Sequence, residues 1–329
     1  MNKEVIMQDI TDVAKRLVQH NKGKITEVYF VACGGSLVDM YVSDYFIRSE
    51  STTITSGWYT ANEFVHATPK RLGKNSVVIA CSHGGNTPET VEAARIAKAA
   101  GAQTVGLTYN DKADLLAVSD YSFLYEWGDE TRVHNNPMAI MLELTVGMVN
   151  ELEGYDHYNT FMEGMKLIDT IVASAEKQVE PRAKAFANAY KDEEMFYVMA
   201  SGASYGHAYG FSICSLMEMQ WLDATAVHTG EFFHGPLEIT DENTPFILAM
   251  GLGRTRELDE RVLKFLKRYA KKIEVVDAKE LGLDMIDDSV SEYFNPVLFY
   301  SVLSKYRYAL SKVHNHDLDV RRYMGKVEY

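Results

Sequence analysis

The sequence contains the same pattern twice, and the two copies are separated by a constant offset of 168 residues. Segments 28–92 and 196–260 share 15 identities in 65 positions without a gap, where ordinary composition would give roughly 4. The identical pairs include Tyr29/Tyr197, Ala32/Ala200, Gly34/Gly202, Ser36/Ser204, Glu50/Glu218, Phe64/Phe232, His66/His234, Gly85/Gly253 and Thr87/Thr255. A chain with this repeat is predicted to fold as two copies of one domain.

One of the differences between the copies falls in a loop that follows a predicted strand, where a ligand would bind. The first copy has Cys-Ser-His-Gly-Gly-Asn-Thr at 81–87, and the second has Ala-Met-Gly-Leu-Gly-Arg-Thr at 249–255. Both keep a glycine and a threonine for the turn, but Met250 stands where the first copy has Ser82. The Ser82 hydroxyl is therefore predicted to serve a ligand, so that function is asymmetric. The turn that contains Ser36 is kept in both copies and is a weaker candidate for ligand contact.

Charge and cysteine content exclude several classes of partner. The 329 residues carry a formal net charge of −13 and no long basic run, which argues against nucleic acids and anionic membranes. No apolar run approaches the roughly 20 residues that cross a bilayer, and the acidic N-terminus is unlike a signal peptide. The three cysteines lack metal-type spacing, so the sequence predicts a cytoplasmic protein without disulfides or a metal site.

Short apolar runs alternate with helical patterns in both copies, which is typical of parallel βαβ units. Strands are predicted at 28–32, 76–81, 104–108, 195–200, 246–249 and 272–276. The predicted fold class is α/β, with two tandem, doubly wound, flavodoxin-like parallel sheets. The predicted divisions are an N-terminal helix at 1–20, a first domain at 21–153, a helical connection at 154–190, a second domain at 191–314 and a tail at 315–329.

The loop at 82–87 has the composition of an anion site at the start of a helix. In doubly wound sheets, ligands bind beyond the carboxyl ends of the strands, where the next helix presents backbone N–H groups and a partial positive charge. Ser82, Asn86 and Thr87 add polar side chains, and Gly84 lets backbone donors approach a ligand closely. These residues predict a phosphate site, although a polar turn capped by Thr87 would use the same residues.

A carboxylate and a histidine of the second copy are candidates for acid–base chemistry. Glu218 lies in an apolar helical stretch, where loss of hydration would favour proton transfer, whereas its counterpart Glu50 ends a polar helix. His234 lies in a turn bounded by glycine and proline, which is typical of an exposed functional histidine. Either residue alone is more often structural, and their combination with a one-copy anion loop favours catalysis.

Together these motifs resemble the tandem sugar-isomerase (SIS) domains of glucosamine-6-phosphate synthase and its relatives, over nearly the whole chain. The segments that carry the resemblance are 32–36, 82–87, 217–221, 230–236 and 321–329. The helix, the histidine turn and the tail among them look most like those of bacterial fructosamine 6-phosphate deglycases, which split Amadori compounds. Gly84 departs from the Ser-x-Ser-x-x-Thr pattern of the synthases, so one phosphate contact must come from another group.

The resemblance implies a deglycase that converts a fructosamine amino-acid 6-phosphate into glucose 6-phosphate and amino acid without a metal or redox cofactor. It implies that Glu218 is the general base, that His234 is the second acid–base group, and that Ser82 and Thr87 hold the phosphate. The ketone-binding lysine of the synthases falls on Lys326, and a homodimer or higher oligomer with shared active sites is implied. Two alternatives stay open: an aldose–ketose phosphosugar isomerase and a non-catalytic phosphosugar-binding regulator.

Overall fold

A computed structural model describes residues 9–128 and 132–328 of the chain. The chain divides into two compact units, Met1–Asn159 and Thr160–Tyr329. Of the helix expected at 1–20, the described part forms α1 (Ile10–His20), and residues 1–8 lie outside the described residues. Within the described ranges, no helix is both long enough and apolar enough to cross a membrane.

The first unit is built on a parallel sheet. Its described strands are β1 (Glu27–Ala32), β2 (Thr55–Thr60), β3 (Ser76–Cys81), β4 (Gln103–Thr108) and β5 (Tyr121–Leu124). They pair in the order β2-β1-β3-β4-β5, which is the flavodoxin-like order with its switch point between β1 and β3. Strands β1, β3 and β4 are buried along their whole length, and this explains their continuous apolar sequences. The predicted parallel α/β fold is confirmed, while β2 and β5 were not among the predicted strands.

Helices cover both faces of this first sheet. Besides α1 they are α2 (Gly34–Asp39), α3 (Tyr41–Glu50), α4 (Ala61–His66), α5 (Pro88–Ala99), α6 (Asp114–Val118) and α7 (Pro137–Glu153). Helices α1 and α3 pack on α7, and α4 packs on α5. Tyr29 and Val31 of β1 join Phe64 of α4 and Ala97 of α5 in one core cluster, as alternation along a strand requires. The helical region that follows β1 is interrupted at Met40, which lies between α2 and α3.

The second unit repeats this plan with one strand fewer in its described residues. Its strands are β6 (Met195–Ala200), β7 (Asp223–His228), β8 (Phe246–Met250) and β9 (Ile273–Asp277), in the order β7-β6-β8-β9. Its α-helices are α8 (Tyr158–Ala189), α9 (Tyr205–Gly210), α10 (Arg256–Tyr269) and α11 (Asn295–His314). A π-helical segment, Phe211–Glu218, continues α9. Such wide turns inside helices are frequent at functional sites.

The backbone geometry of the two units agrees with the internal repeat. Strands β1 and β6, and likewise β2 and β7, begin and end 168 residues apart. Gly34 and Gly202 have φ angles of +55° and +53°, and Gly85 and Gly253 have φ angles of +72° and +95°. The left-handed region favours glycine, so both copies keep these residues for the same two turns. What differs between the copies is the chemistry carried on those turns.

Candidate active site

The loop after β3 is built around the hydroxyl of Ser82. Ser82 is buried, and its Oγ accepts a hydrogen bond from the Gly85 N–H at 3.1 Å and lies 2.8 Å from Thr87 Oγ1. A Cβ on Gly85 would lie 2.1 Å from the Cβ of Ala113, so the turn requires glycine. A Cβ on Gly84 would have nothing within 4 Å. Because Gly84 has no side chain and no atoms lie near it, the backbone at this exposed position of the loop is accessible.

Thr87 precedes α5 without capping it through its side chain. Its backbone occupies the N-cap position, but its hydroxyl makes no capping hydrogen bond and pairs instead with Ser82. The capping role considered for this side chain is wrong. Since a hydroxyl can donate one hydrogen bond and accept two, the Ser82–Thr87 pair retains capacity for an anion at the start of α5.

Asn86 and Ser36, the other polar candidates in this unit, have partners within the fold. Asn86 Oδ1 accepts a hydrogen bond at 2.8 Å from the Asp114 N–H at the start of α6, so this oxygen stabilises the loop. Ser36 is half-buried and hydrogen-bonds to Cys81, whose thiol pKa is raised by burial. Ser36 therefore lies beside the last residue of β3, next to the loop that carries Ser82.

A buried carboxyl group in the same region makes stability depend on pH. Asp39 ends α2 near Cys81, and burial raises its pKa to about 7. In the unfolded chain the pKa of an aspartic acid is about 3.9, so the folded state holds the Asp39 proton more tightly than the unfolded state does. This contribution to stability is fully present below about pH 3.9 and is lost as the pH rises through about 7. Asp39→Asn should therefore increase the free energy of unfolding at pH 8 by on the order of 2–4 kcal/mol and change it little at pH 4.

The measurement is urea unfolding of Asp39→Asn and the unmodified chain at both pH values. Asp111→Asn, at an exposed position of the same unit, is the matched control and should show no pH-dependent difference. A gain from Asp39→Asn that is equal at pH 4 and pH 8 would contradict the ionisation of Asp39 as its cause.

In the second unit, polar groups that follow three of the strands donate hydrogen bonds to a carboxylate of the protein itself. Asp259 of α10 is buried, and its Oδ1 accepts hydrogen bonds from Ser201 Oγ at 2.8 Å and from Thr229 Oγ1 at 2.7 Å. Its Oδ2 accepts the Gly251 N–H at 3.3 Å. Burial raises the pKa of Asp259 to about 6, against the effect of these hydrogen bonds. The corresponding residue of the first unit is Val91, so only the second copy has a carboxylate at this position to bind these donors.

Glu218 ends the π-helical segment and faces an arginine. Its side chain is 25% exposed, and its Oε1 lies 2.7 Å from Nη2 of Arg321. The deep burial expected for Glu218 is therefore wrong, and its distinguishing features are the irregular helix and the ion pair. Trp221, three residues later, has φ of +60°, which is costly for a bulky side chain and occurs mainly at functional sites.

His234 ends a 3-10 turn, Phe232–His234, and its side chain is exposed as predicted. The turn is anchored from below by Phe232, which is fully buried in the core of the second unit. Phe233 is covered by the Arg261 guanidinium, 4.1 Å from the ring centroid. Gly235 follows with φ of +138°, a conformation that favours glycine. An anchored backbone thus presents the imidazole to solvent.

The side chain of Lys326 contacts another residue of the C-terminal tail. Its Nζ donates a hydrogen bond to the backbone carbonyl of Arg321 at 2.6 Å. The tail residue that touches the catalytic candidate Glu218 is Arg321, which the sequence analysis did not select. The abundance of arginine and tyrosine in the tail was the available signal, but nothing in the sequence indicated which cation meets Glu218.

The chain is similar to known proteins over most of its length. The model of the SIS domain matches residues 24–149. The chain is 46% identical over 313 residues to "Fructosamine deglycase FrlB" of Bacillus subtilis (strain 168), with 95% of each chain covered. It is 26% identical over 332 residues to "Fructoselysine 6-phosphate deglycase" of Escherichia coli (strain K12), with 99% and 94% covered. A solved structure from Salmonella typhimurium LT2 matches with TM-score 0.94 and 42% identity over 100% of both chains.

Proposed function

This chain belongs to the SIS-domain family, and on that premise we propose that it is a fructosamine 6-phosphate deglycase. The reaction is cleavage of an Amadori adduct of an amino acid, phosphorylated at C6, to glucose 6-phosphate and amino acid. The observation that carries the proposal is the 46% identity, over 95% of both chains, with a fructosamine deglycase. The asymmetry between the two copies supports it, because a single loop retains the hydroxyls that suit a phosphate.

The loop at the start of α5 binds the phosphate in this proposal. Ser82 and Thr87 supply hydroxyl donors, and the N-terminus of α5 supplies backbone N–H groups and a partial positive charge. Gly84, which replaces a serine of the synthase pattern, leaves room for the anion to reach the backbone. Because the chain has a net charge of −13, an anionic substrate needs a local set of hydrogen-bond donors such as this loop to bind it.

Glu218 and His234 transfer the protons. The open-chain substrate has its amine on C1 and a carbonyl at C2. The Glu218 carboxylate takes a proton from C1 while the C2 oxygen is protonated, giving an enaminol, and returning the proton to C2 gives an imine between C1 and nitrogen. Water then adds to C1 and releases the amine. His234, on its exposed turn, opens the sugar ring or protonates the oxygen.

The decisive experiment is mass spectrometry of the products after incubation with a panel of sugar–amino-acid 6-phosphates. Equimolar glucose 6-phosphate and amino acid from a fructosamine 6-phosphate is the expected result. Fructose 6-phosphate, offered in parallel, tests the isomerase alternative, since an isomerase uses the same proton transfer without an amine. Conversion of fructose 6-phosphate with no cleavage of any adduct would reject the deglycase, and binding without turnover would indicate a regulator.

Loss of either hydroxyl in the phosphate loop should weaken binding. Ser82→Ala and Thr87→Ala should each raise the dissociation constant for glucose 6-phosphate by roughly 10- to 150-fold, the value of one charge-assisted hydrogen bond. Isothermal titration calorimetry gives the constant directly. Thr255→Ala, at the position of the second copy that corresponds to Thr87, is the matched control and should bind as the unmodified chain does. Equal losses at Thr87 and Thr255 would contradict a one-copy phosphate site.

The proposal includes a cytoplasmic, oligomeric enzyme. None of the three cysteines forms a disulfide, which supports a reducing compartment. A homodimer or larger homo-oligomer is proposed because the resemblance to SIS proteins implies active sites shared between subunits, and closed symmetry is the common arrangement of soluble homo-oligomers. Light scattering after size-exclusion chromatography should give a mass of at least twice 37.1 kDa, and a monomeric mass would reject this part of the proposal.

A further inference from the structure

The C-terminal tail places a guanidinium on the catalytic carboxylate. Nη2 of Arg321 lies 2.7 Å from Oε1 of Glu218, and the two side chains are 19% and 25% exposed. Because both side chains are partly buried, solvent and salt screen the attraction between their charges less than in a fully exposed pair. The contact therefore joins the tail directly to the atom that is proposed to accept the C1 proton.

Several contacts fix this arginine within the second unit. Nη1 of Arg321 donates to the carbonyls of Leu318 and Val320, and Lys326 Nζ donates to the carbonyl of Arg321 itself. The next residue, Arg322, lies over the Trp221 ring at 4.0 Å from its centroid. The tail is thus attached to the residues that immediately follow the π-helical segment.

These contacts leave part of the guanidinium unused. Nη1 is committed to the tail and Nη2 lies against Glu218, but Nε of Arg321 has no hydrogen-bond partner among the described residues. Nε and Nη2 together form one edge of the guanidinium fork, which matches the two oxygens of a carboxylate. The structure thus has a carboxylate-binding donor next to the catalytic base.

The proposed substrate has a carboxylate that needs such a donor. Its amino acid is attached through nitrogen to C1, the carbon from which Glu218 takes the proton. A substrate carboxylate near that nitrogen would approach the carboxylate of Glu218, and two like charges at that distance repel unless a cation lies between them. Resting on the proposed function, we propose that Arg321 binds the carboxylate of the substrate's amino-acid part through Nε and Nη2 and thereby sets specificity for amino-acid adducts.

The test compares two substrates that differ only in this carboxylate: the 1-amino-1-deoxyfructose 6-phosphates that carry glycine and methylamine as the amine on C1, called below the glycine adduct and the methylamine adduct. The unmodified enzyme should cleave the glycine adduct with a kcat/KM higher by roughly 10- to 150-fold, the value of a charge-assisted hydrogen bond. Arg321→Gln should bring the ratio of the two kcat/KM values close to one, mainly by slowing the glycine adduct. Arg321→Lys, which keeps the charge but loses the fork, should keep an intermediate ratio.

Arg322→Gln is the matched control, because it removes the same charge from the neighbouring tail residue and should keep the ratio of the unmodified enzyme. Circular dichroism establishes that each variant is folded. Equal cleavage of both adducts by the unmodified enzyme, or an equal collapse of the ratio in Arg322→Gln, would overturn the role of Arg321 while leaving the deglycase intact. Cleavage of neither adduct, nor of any other fructosamine 6-phosphate, would reject the deglycase itself and this inference with it.

Discussion

The Glu218→Gln variant should bind substrate but turn it over roughly 10²- to 10⁴-fold more slowly, the loss expected when a general base is removed. Glutamine has nearly the same shape as glutamate and keeps an oxygen that can accept from Arg321, so the fold and the tail contact should persist. It cannot take a proton from carbon at useful rates. Steady-state kinetics with a fructosamine 6-phosphate gives the turnover, and calorimetry gives the binding.

Solvent exchange separates this role from a structural one. In deuterium oxide, the unmodified enzyme should incorporate deuterium into the sugar product, and Glu218→Gln should abolish this, because the base connects the carbon-bound proton to water. Glu50→Gln, at the corresponding position at the end of α3, is the matched control and should change neither rate. Near-normal turnover in Glu218→Gln, or an inactive Glu50→Gln, would assign the chemistry to a different residue.

The His234→Ala variant should lose roughly 10²- to 10⁴-fold in turnover, the usual contribution of one positioned acid–base group. The turn should survive this change, because its anchor is the buried ring of Phe232 and not the exposed imidazole. Added imidazole should restore part of the activity, since the side chain is exposed and a small base can occupy the space that it leaves. Stopped assays that quantify glucose 6-phosphate measure both effects.

His66→Ala is the control for the histidine, since His66 holds the same position in the first copy and is exposed at the end of α4. It should have the activity of the unmodified enzyme. If His66→Ala loses as much activity as His234→Ala, or if the loss in His234→Ala accompanies a lower melting temperature of the second unit, the histidine has no separate chemical role.

The sequence predicted the central strands well because their burial leaves a continuous apolar signal. β3 and β6 have the predicted bounds, and β1 differs by one residue. β2 and β7 were missed because both are edge strands, and their half-exposed, polar sequences carry no apolar run. β5 was missed for the same reason, since it is short and lies at the opposite edge of its sheet.

The site was predictable to the extent that it depends on local backbone. Ser82 and Thr87 follow a buried strand and precede a helix, and this order alone points to an anion site. The exposure of Glu218 and its pairing with Arg321 depend on how the tail folds back along the second unit, which no local pattern encodes. The positive φ of Trp221 likewise has no signature in residue type, because tryptophan rarely adopts it.

The carboxylate of Asp259 also constrains how this protein can evolve. Two hydroxyls and one backbone N–H, from Ser201, Thr229 and Gly251, converge on it in a buried position. Asp259→Val, which installs the residue of the first copy, would leave the Thr229 hydroxyl and the Gly251 N–H without this acceptor, at about 1–3 kcal/mol each, whereas Ser201 keeps its hydrogen bond to the Thr255 carbonyl. Position 259 therefore accepts an apolar residue only with a loss of stability. On the proposed function, the second unit therefore contributes to activity through Glu218 and His234 and not through a second anion-binding loop, because its own strand ends are occupied by Asp259.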